Sequence, residues 1–476
     1  MWQRCLKARV AAWWNYFYKN REMTMRMRWM AVMVMTGVST LPCVASAEVA
    51  GKWVAEISSP VLLEPVYARV SLERTGDALS GTWGSATVKG SVKNSTVTIA
   101  LSDAEGNDAG TATGKIAGDA GEGSGTMVGL GRRPGGFAGA AGGRAPMTQE
   151  MSWKLTPELV PPAKPREINY EPTTFQAYYY AGNKPGIHIF PGDIVHTWAP
   201  DSAGTDKNLK RVALGGNANI GPIYVEGTLP GDTLVVHLIK IEPNRKTARQ
   251  GSRIQQFGVT PAYNLAAKYD QRFNGEYQLD NATGIAMLTA PTPALKNFKV
   301  TMQPMLGCIS VAPPGFEAFT GPHLGVYGGN LDYNGTVSGT TMFFPVFHPG
   351  ALFGFGDGHA AMADGEVTQT GLETSMAVDF SVEVIKGYQT QGVREEDNDY
   401  IISFGVAGSL QEALKVSTAQ LATWIKHDYG LNDSEVALFL GAVMKIEVTE
   451  LVDPEFDVVT KVPKSALAML SAPAAK

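Results

Sequence analysis

Between Trp53 and Leu101 the chain is written in short runs in which apolar and polar residues alternate: Trp53-Val54-Ala55-Glu56-Ile57, Tyr67 to Leu72, Ser80 to Trp83, Ala86 to Val88 and Thr96 to Leu101. Gly76-Asp77, Gly84-Ser85 and Lys93-Asn94 separate them. Alternation with period two marks half-buried strands, and these pairs are turn formers. Strands this short and this closely spaced predict an antiparallel meander closing on itself as a small barrel over residues 48–157.

Gly51-Lys52-Trp53 and Trp153-Lys154-Leu155 resemble the opening and closing strands of a lipocalin-like or streptavidin-like barrel. The Gly/Ala/Arg-rich run from Gly129 to Gly143 lacks the strand, helix and Lys-Ser/Thr of a phosphate loop, so it reads as a connection between late barrel strands. Leu159-Val160-Pro161-Pro162-Ala163-Lys164-Pro165 places a stiff linker at 158–168. A second, mainly β region then spans 169–462, with strands such as Thr233 to Leu238, Phe298 to Met302 and Ser375 to Val384. A few helices come late. Ser409-Leu410-Gln411-Glu412 and Asn432-Asp433-Ser434-Glu435 each look like helix starts. Residues 463–476 read as a loose tail.

Residues 1–47 carry seven basic residues against Glu22, an apolar stretch from Trp29 to Val44, and Ala45-Ser46-Ala47. That combination describes a cleavable secretory signal with cleavage after Ala47, hence a periplasmic or secreted protein with no membrane attachment once mature. Met23, Met25 and Met27 offer alternative translation starts. Removing this segment leaves 33 basic and 44 acidic residues, a net charge of −11. Such a surface repels nucleic acid and anionic lipid. Cys308 alone of the three cysteines lies beyond the cleavage point, which excludes an internal disulfide.

Chemistry-bearing residues concentrate between Gly328 and Glu373. Gly356-Asp357-Gly358-His359 and Asp364-Gly365-Glu366 put four ligating or proton-carrying groups within ten residues. In extended backbone, residues two apart project to one side, so Asp357 can converge with His359, and Asp364 with Glu366. Imidazole with carboxylate suits zinc or a similar divalent ion. Gly328-Gly329-Asn330-Leu331-Asp332 repeats the spacing with a carboxamide and a carboxylate. Glycines such as Gly329 and Gly358 allow a backbone or a small substrate to approach closely. The plain alternative is that these Gly-Asp and Asp-Gly pairs are solvated turns.

The order of segments narrows the choice. Gly221-Pro222-Ile223-Tyr224-Val225-Glu226-Gly227, Pro230-Gly231-Asp232, Gly328 to Asp332, Pro349-Gly350-Ala351-Leu352, Gly356-Asp357-x-His359-Ala360, Asp364-Gly365-Glu366 and Leu372-Glu373-Thr374 together resemble the acetamidase/formamidase family across about residues 165–450. The resemblance implies a β-rich fold of its own and hydrolysis of short linear amides to ammonia and a carboxylate. It also implies a bound divalent metal, zinc first and calcium as a second option. Two departures stand out: Met362-Ala363 where the family has Gln-Gly, and Asn217-Ala218-Asn219-Ile220-Gly221-Pro222 where it has Asn-Pro-x-Thr-Gly-Pro. Losing a carboxamide and a hydroxyl removes partners for a small polar substrate.

On this reading Asp357, His359 and Asp332 are metal ligands, and His196, with Asp201, sits where the family has an acidic turn and could add another. Glu366 or Asp364 serves as general base, Asn330 as donor to the developing oxyanion, and Gly329 and Gly358 line the substrate. Two other classes remain open: a hydrolase of another amide class, and a non-catalytic periplasmic binding protein on the same scaffold. Homo-oligomerisation also stays open.

Overall fold

A computed structural model describes residues 49–130, 147–270, 273 and 275–470. The signal segment and most of the Gly129–Gly143 connection lie outside the described residues. Among the described residues no helix is long and apolar enough to cross a membrane.

Eight antiparallel strands, from Gly51–Ser58 to Thr148–Pro157, close into a barrel. Closure comes from the first strand, which pairs with the second through Trp53 and Val70 and with the last through Ile57 and Trp153. Alternation decides what goes inside: Trp53, Ala55 and Ile57 are buried while Glu56 is not. The interior is filled by Trp53, Trp83 and Trp153 with Val88, Ile99, Leu101, Ile116 and Leu155. Trp83 and Trp153 meet edge to face at 5.8 Å between ring centres. Trp153 fits because Gly114 and Gly123 flank it; a Cβ on either would stand 2.5 or 2.4 Å from its ring.

The barrel is tied to the second region by charge. Arg69 donates to both oxygens of Asp232, at 2.9 and 2.6 Å, and to the Gly227 carbonyl at 2.7 Å. Asp232 is 1% exposed and also accepts from the Leu229 and Gly387 amides. Outside that tie, Lys386 reaches Glu158 at 2.7 Å.

Beyond the barrel, a nine-stranded and a seven-stranded sheet carry the fold. Leu234, Val236 and Phe380 of the first pack with Ile220, Ile223, Leu306, Ile309, Phe353 and Phe355 of the second in one apolar core. The expected mainly β class, with a small barrel followed by a β-rich region and few helices, is what the chain adopts. Helix Leu410–Tyr429 is capped by Ser409, and helix Asp433–Val443 by a reciprocal Asn432–Glu435 box. The tail expectation needs correction. Strand Phe456–Pro463 runs directly into a short helix, Lys464–Leu467, whose Ala466 and Leu467 are buried with Ile401, Leu421 and Trp424.

Candidate metal centre and active-site cavity

Strand register assembles the site. Across four neighbouring strands, Asn219 lies opposite Gly356, Gly356 opposite Cys308, and Cys308 opposite Asn330. Strand Phe353–His359 is buried throughout, so its last residues carry Asp357 and His359 into the interior. A bridge from His359 to Glu373 adds a third group, and a bridge from Gly365 to Glu450 brings in the chain near Asp453.

His359 is completely enclosed. Its Nε2 lies 3.1 Å from Glu373 Oε1, 3.2 Å from Asp357 Oδ1 and 3.8 Å from Glu366 Oε1, and its Nδ1 lies 3.8 Å from Asp332 Oδ1. Three sets of side chains could therefore hold a metal ion: Asp357, His359 and Glu373; Asp332, His359 and Glu366; and Asp332, Glu450 and Asp453. Among the described residues no lysine or arginine is paired with any of these carboxylates. Arg245 comes near but bonds Asp201 and the Glu373 carbonyl instead.

Burial pushes the carboxyls of Asp332, Glu366 and Glu373 above their ordinary range, and the neighbouring carboxylates reinforce the shift. Glu450 is raised to about 8 and Asp453 to about 7, burial again leading. Burial alone would lower the His359 pKa, but Glu373 and Asp357 raise it well above the usual histidine value. Carboxylates crowded this way, with one imidazole among them, are neutralised by protons or by a bound cation.

The donors fit a divalent ion on other grounds as well. Asp332 Oδ1, His359 Nδ1 and Glu450 Oε2 are buried with no hydrogen-bond partner. Gly307 leaves space at the acids, since a Cβ there would stand 2.4 Å from Asp332 Oδ1 and 2.9 Å from Asp357 Oδ2. Histidine with carboxylates is a zinc-type set, whereas Asp332, Glu450 and Asp453 offer oxygen alone, as calcium prefers. Asp332, Asp357 and Glu366 all occupy left-handed backbone, at φ 43°, 55° and 42°. Non-glycine residues held there cost about 1–3 kcal/mol each and cluster at functional sites.

A cavity of about 270 Å³ opens onto this centre, lined by Asp357, Glu366, Glu373, Asp453, Asn217 and Gln369 among others. Asp357, His359, Asp332, Glu366 and Asn330 are thus gathered together. Asp364 is not. It sits exposed, accepting from Asn334 at 2.7 Å. Residues 363–366 form a turn, closed by the Glu366 amide on the Ala363 carbonyl, so the same-side rule for strands does not apply there.

His196 is not gathered either. It lies on the strand face opposite buried Val195 and Ala199 and pairs with Asp379 at 2.9 Å. Asp201 is spent on Arg245. Gly329 and Gly358 do not line the cavity; their bareness admits the His323-Leu324 backbone at the first, and the Thr374 carbonyl and Met376 side chain at the second. Met362 and Ala363 also lie off the cavity wall.

Sequence reasoning missed Glu373, Glu450 and Asp453 as site groups. Glu373 stood within the family-like segment Leu372-Glu373-Thr374. Glu450-Leu451-Val452-Asp453 has no glycine nearby and reads like a solvated acidic turn.

The fold and site together define a double-sheet β protein with a buried histidine–carboxylate centre under a small cavity. Comparison with known proteins shows what the chain is similar to. The Acetamidase/Formamidase family model matches residues 256–402. An acetamidase of Mycolicibacterium smegmatis is 40% identical over 68 residues, a match spanning 14% of this chain and 17% of that protein. The structure is similar to a recombinant predicted acetamidase/formamidase from Thermoanaerobacter tengcongensis, at 25% identity and TM-score 0.55, covering 64% of this chain and 98% of that one. An acetamidase from Bacillus halodurans gives the same TM-score of 0.55 at 23% identity, covering 64% of this chain and 100% of its own. The resemblance read from the sequence holds: the segment 256–402 carries the acetamidase/formamidase signature within the fold of solved acetamidases.

Proposed function

We propose that this chain is an exported, metal-dependent hydrolase of small linear amides, releasing ammonia and a carboxylate. The observation that carries the reading is His359, buried against Asp357 and Glu373, two residues that line a small cavity, within an acetamidase-like fold. Asp357, His359 and Glu373 would hold zinc, and Asp332, Glu450 and Asp453 would hold a second ion such as calcium. When bound, such an ion supplies Lewis acidity to an amide carbonyl and to water.

The chain's own residues do the rest. Glu366 lines the cavity with one oxygen held by the Gly371 amide at 2.7 Å, so it is fixed in place to take a proton from water and pass it to the leaving amine. Asn217 and Gln369 present carboxamides that can pair with the substrate's own amide. With Asp357, Glu366, Glu373 and Asp453 in the wall and no lysine or arginine, the cavity suits an uncharged substrate.

Ammonia release from formamide, acetamide and bulkier or cyclic amides, with chelator and after zinc is restored, tests the reading. Turnover of short amides that chelator abolishes and zinc restores is expected. Turnover confined to larger amides would move the substrate to another class, and bound metal without any turnover would favour a binding protein.

A further inference from the structure

We infer that Asn330 is a positioning residue whose carboxamide joins the two carboxylate groups of the centre and determines whether Asp332, Glu450 and Asp453 can hold an ion of their own. This assignment rests on the metal reading above.

Asn330 is 1% exposed. A carboxamide has two N–H donors and two acceptor positions, and which end faces which neighbour follows from the partners' chemistry. The Cys308 thiol and Asn217 Nδ2 are donors and take the oxygen, so the nitrogen faces Asp332 Oδ2 and Asp453 Oδ2, the latter at 2.5 Å. On the other side, Oδ1 receives the Cys308 thiol at 2.7 Å and Asn217 Nδ2 at 2.9 Å. All four positions are filled. No N–H is left over for a developing oxyanion, which replaces the role that the sequence suggested for this residue.

What the four bonds accomplish is placement. Asp332 is common to the histidine-centred group and the all-oxygen group. With Oδ2 held by Asn330, its unpartnered Oδ1 is the atom left for a ligand. Asp453 is fixed by the same nitrogen, so one side chain sets the separation of two ligands contributed by distant segments. Cys308 is the support behind it. It is fully buried directly across the strand pair from Asn330, with its Sγ 2.7 Å from Asn330 Oδ1.

The test uses the full chain stripped with chelator, then titrated calorimetrically with zinc chloride followed by calcium chloride. Wild type should take up two ions. Asn330→Ala should keep the first and bind the second about 10–100-fold more weakly, the usual effect of losing an outer partner of a ligand. Cys308→Ala should weaken the second ion in the same direction, whereas Cys308→Ser, whose hydroxyl still donates, should restore it.

Unchanged second-ion affinity in Asn330→Ala, simultaneous loss of both ions, or a wild type that takes only one ion would overturn the assignment. Should Asn330→Ala fail to fold by circular dichroism, the cysteine pair decides: equal second-ion affinity in Cys308→Ala and Cys308→Ser overturns it. A wild type that binds two ions yet releases no ammonia from any amide defeats the hydrolase reading and leaves this one standing. Uptake of no ion defeats both.

Discussion

The barrel and the metal centre are both interiors of β structure, and they are built on opposite rules. Among the described residues of the barrel, every buried side chain is apolar, with three tryptophans at its heart. At the centre, Asp332, Asp357, His359, Glu366, Glu373 and Glu450 are just as buried and all ionisable. The barrel's inside is finished by its own side chains, each large one contributing about 1.5–3 kcal/mol by leaving water. The centre instead leaves Asp332 Oδ1, His359 Nδ1 and Glu450 Oε2 without a hydrogen-bond partner. Interior position alone therefore says little about purpose; what matters is whether the enclosed groups satisfy one another.

His359→Ala should break that contrast most severely. Bound metal and amide turnover should both disappear, by elemental analysis and ammonia assay. The metal-free variant should also lose about 3–5 kcal/mol in denaturant unfolding, because among the described residues the imidazole is the one cationic group paired with the centre's carboxylates. Retained metal would remove His359 from the ligand set.

The pH response should separate the two regions next. Burial raises Glu395 to about 8 and Asp457 to about 7, both in the second region, with Asp457 opposite Glu450 across its strand pair. Their folded pKa values exceed the unfolded ones, so their contribution is present below about pH 4 and is lost as pH climbs through 7 and 8. Hydrogen exchange between pH 5.5 and 8, corrected for intrinsic rates, should show falling protection in strands Tyr400–Ala407 and Phe456–Pro463, with barrel strands unmoved. Equal change in both would undo the contrast.

Arg69→Ala tests how far the regions stand apart. It leaves Asp232 enclosed without its guanidinium, at a cost of about 1.5–3 kcal/mol, and should split thermal unfolding into two transitions. A single unshifted transition would show that the tie contributes nothing. Gly123→Ala should cost about 1–3 kcal/mol by crowding Trp153 while metal content and turnover stay at wild-type level. His196→Ala comes last: its half-exposed pair with Asp379 should be worth less than about 1 kcal/mol, with no effect on metal.

Much of the architecture was legible because alternation and turn pairs are local signals. Trp53 to Leu101 announced barrel strands, and Asn432 to Glu435 announced a helix start. At the site, Asp357 and His359 were legible for the same reason, since they end one strand. Asp364 misled because two-residue spacing has that meaning only in extended backbone, and a turn intervenes. Glu450 and Asp453 were illegible for a different reason. They reach the centre through a bridge between Gly365 and Glu450, a pairing that no local pattern encodes. His196 carried a positional hint, but the pleat of its strand faces it outward.

The left-handed backbone at Asp332, Asp357 and Glu366 has a consequence for how this protein could change over generations. Glycine or asparagine would sit at those positions with less strain than the acids now there, and would also relieve the crowding of charge. Each replacement is thus a step toward a sturdier protein without the acids of its centre. Descendants that no longer need that centre should be recognisable by glycine or asparagine at these three positions before their cores or their barrels begin to drift.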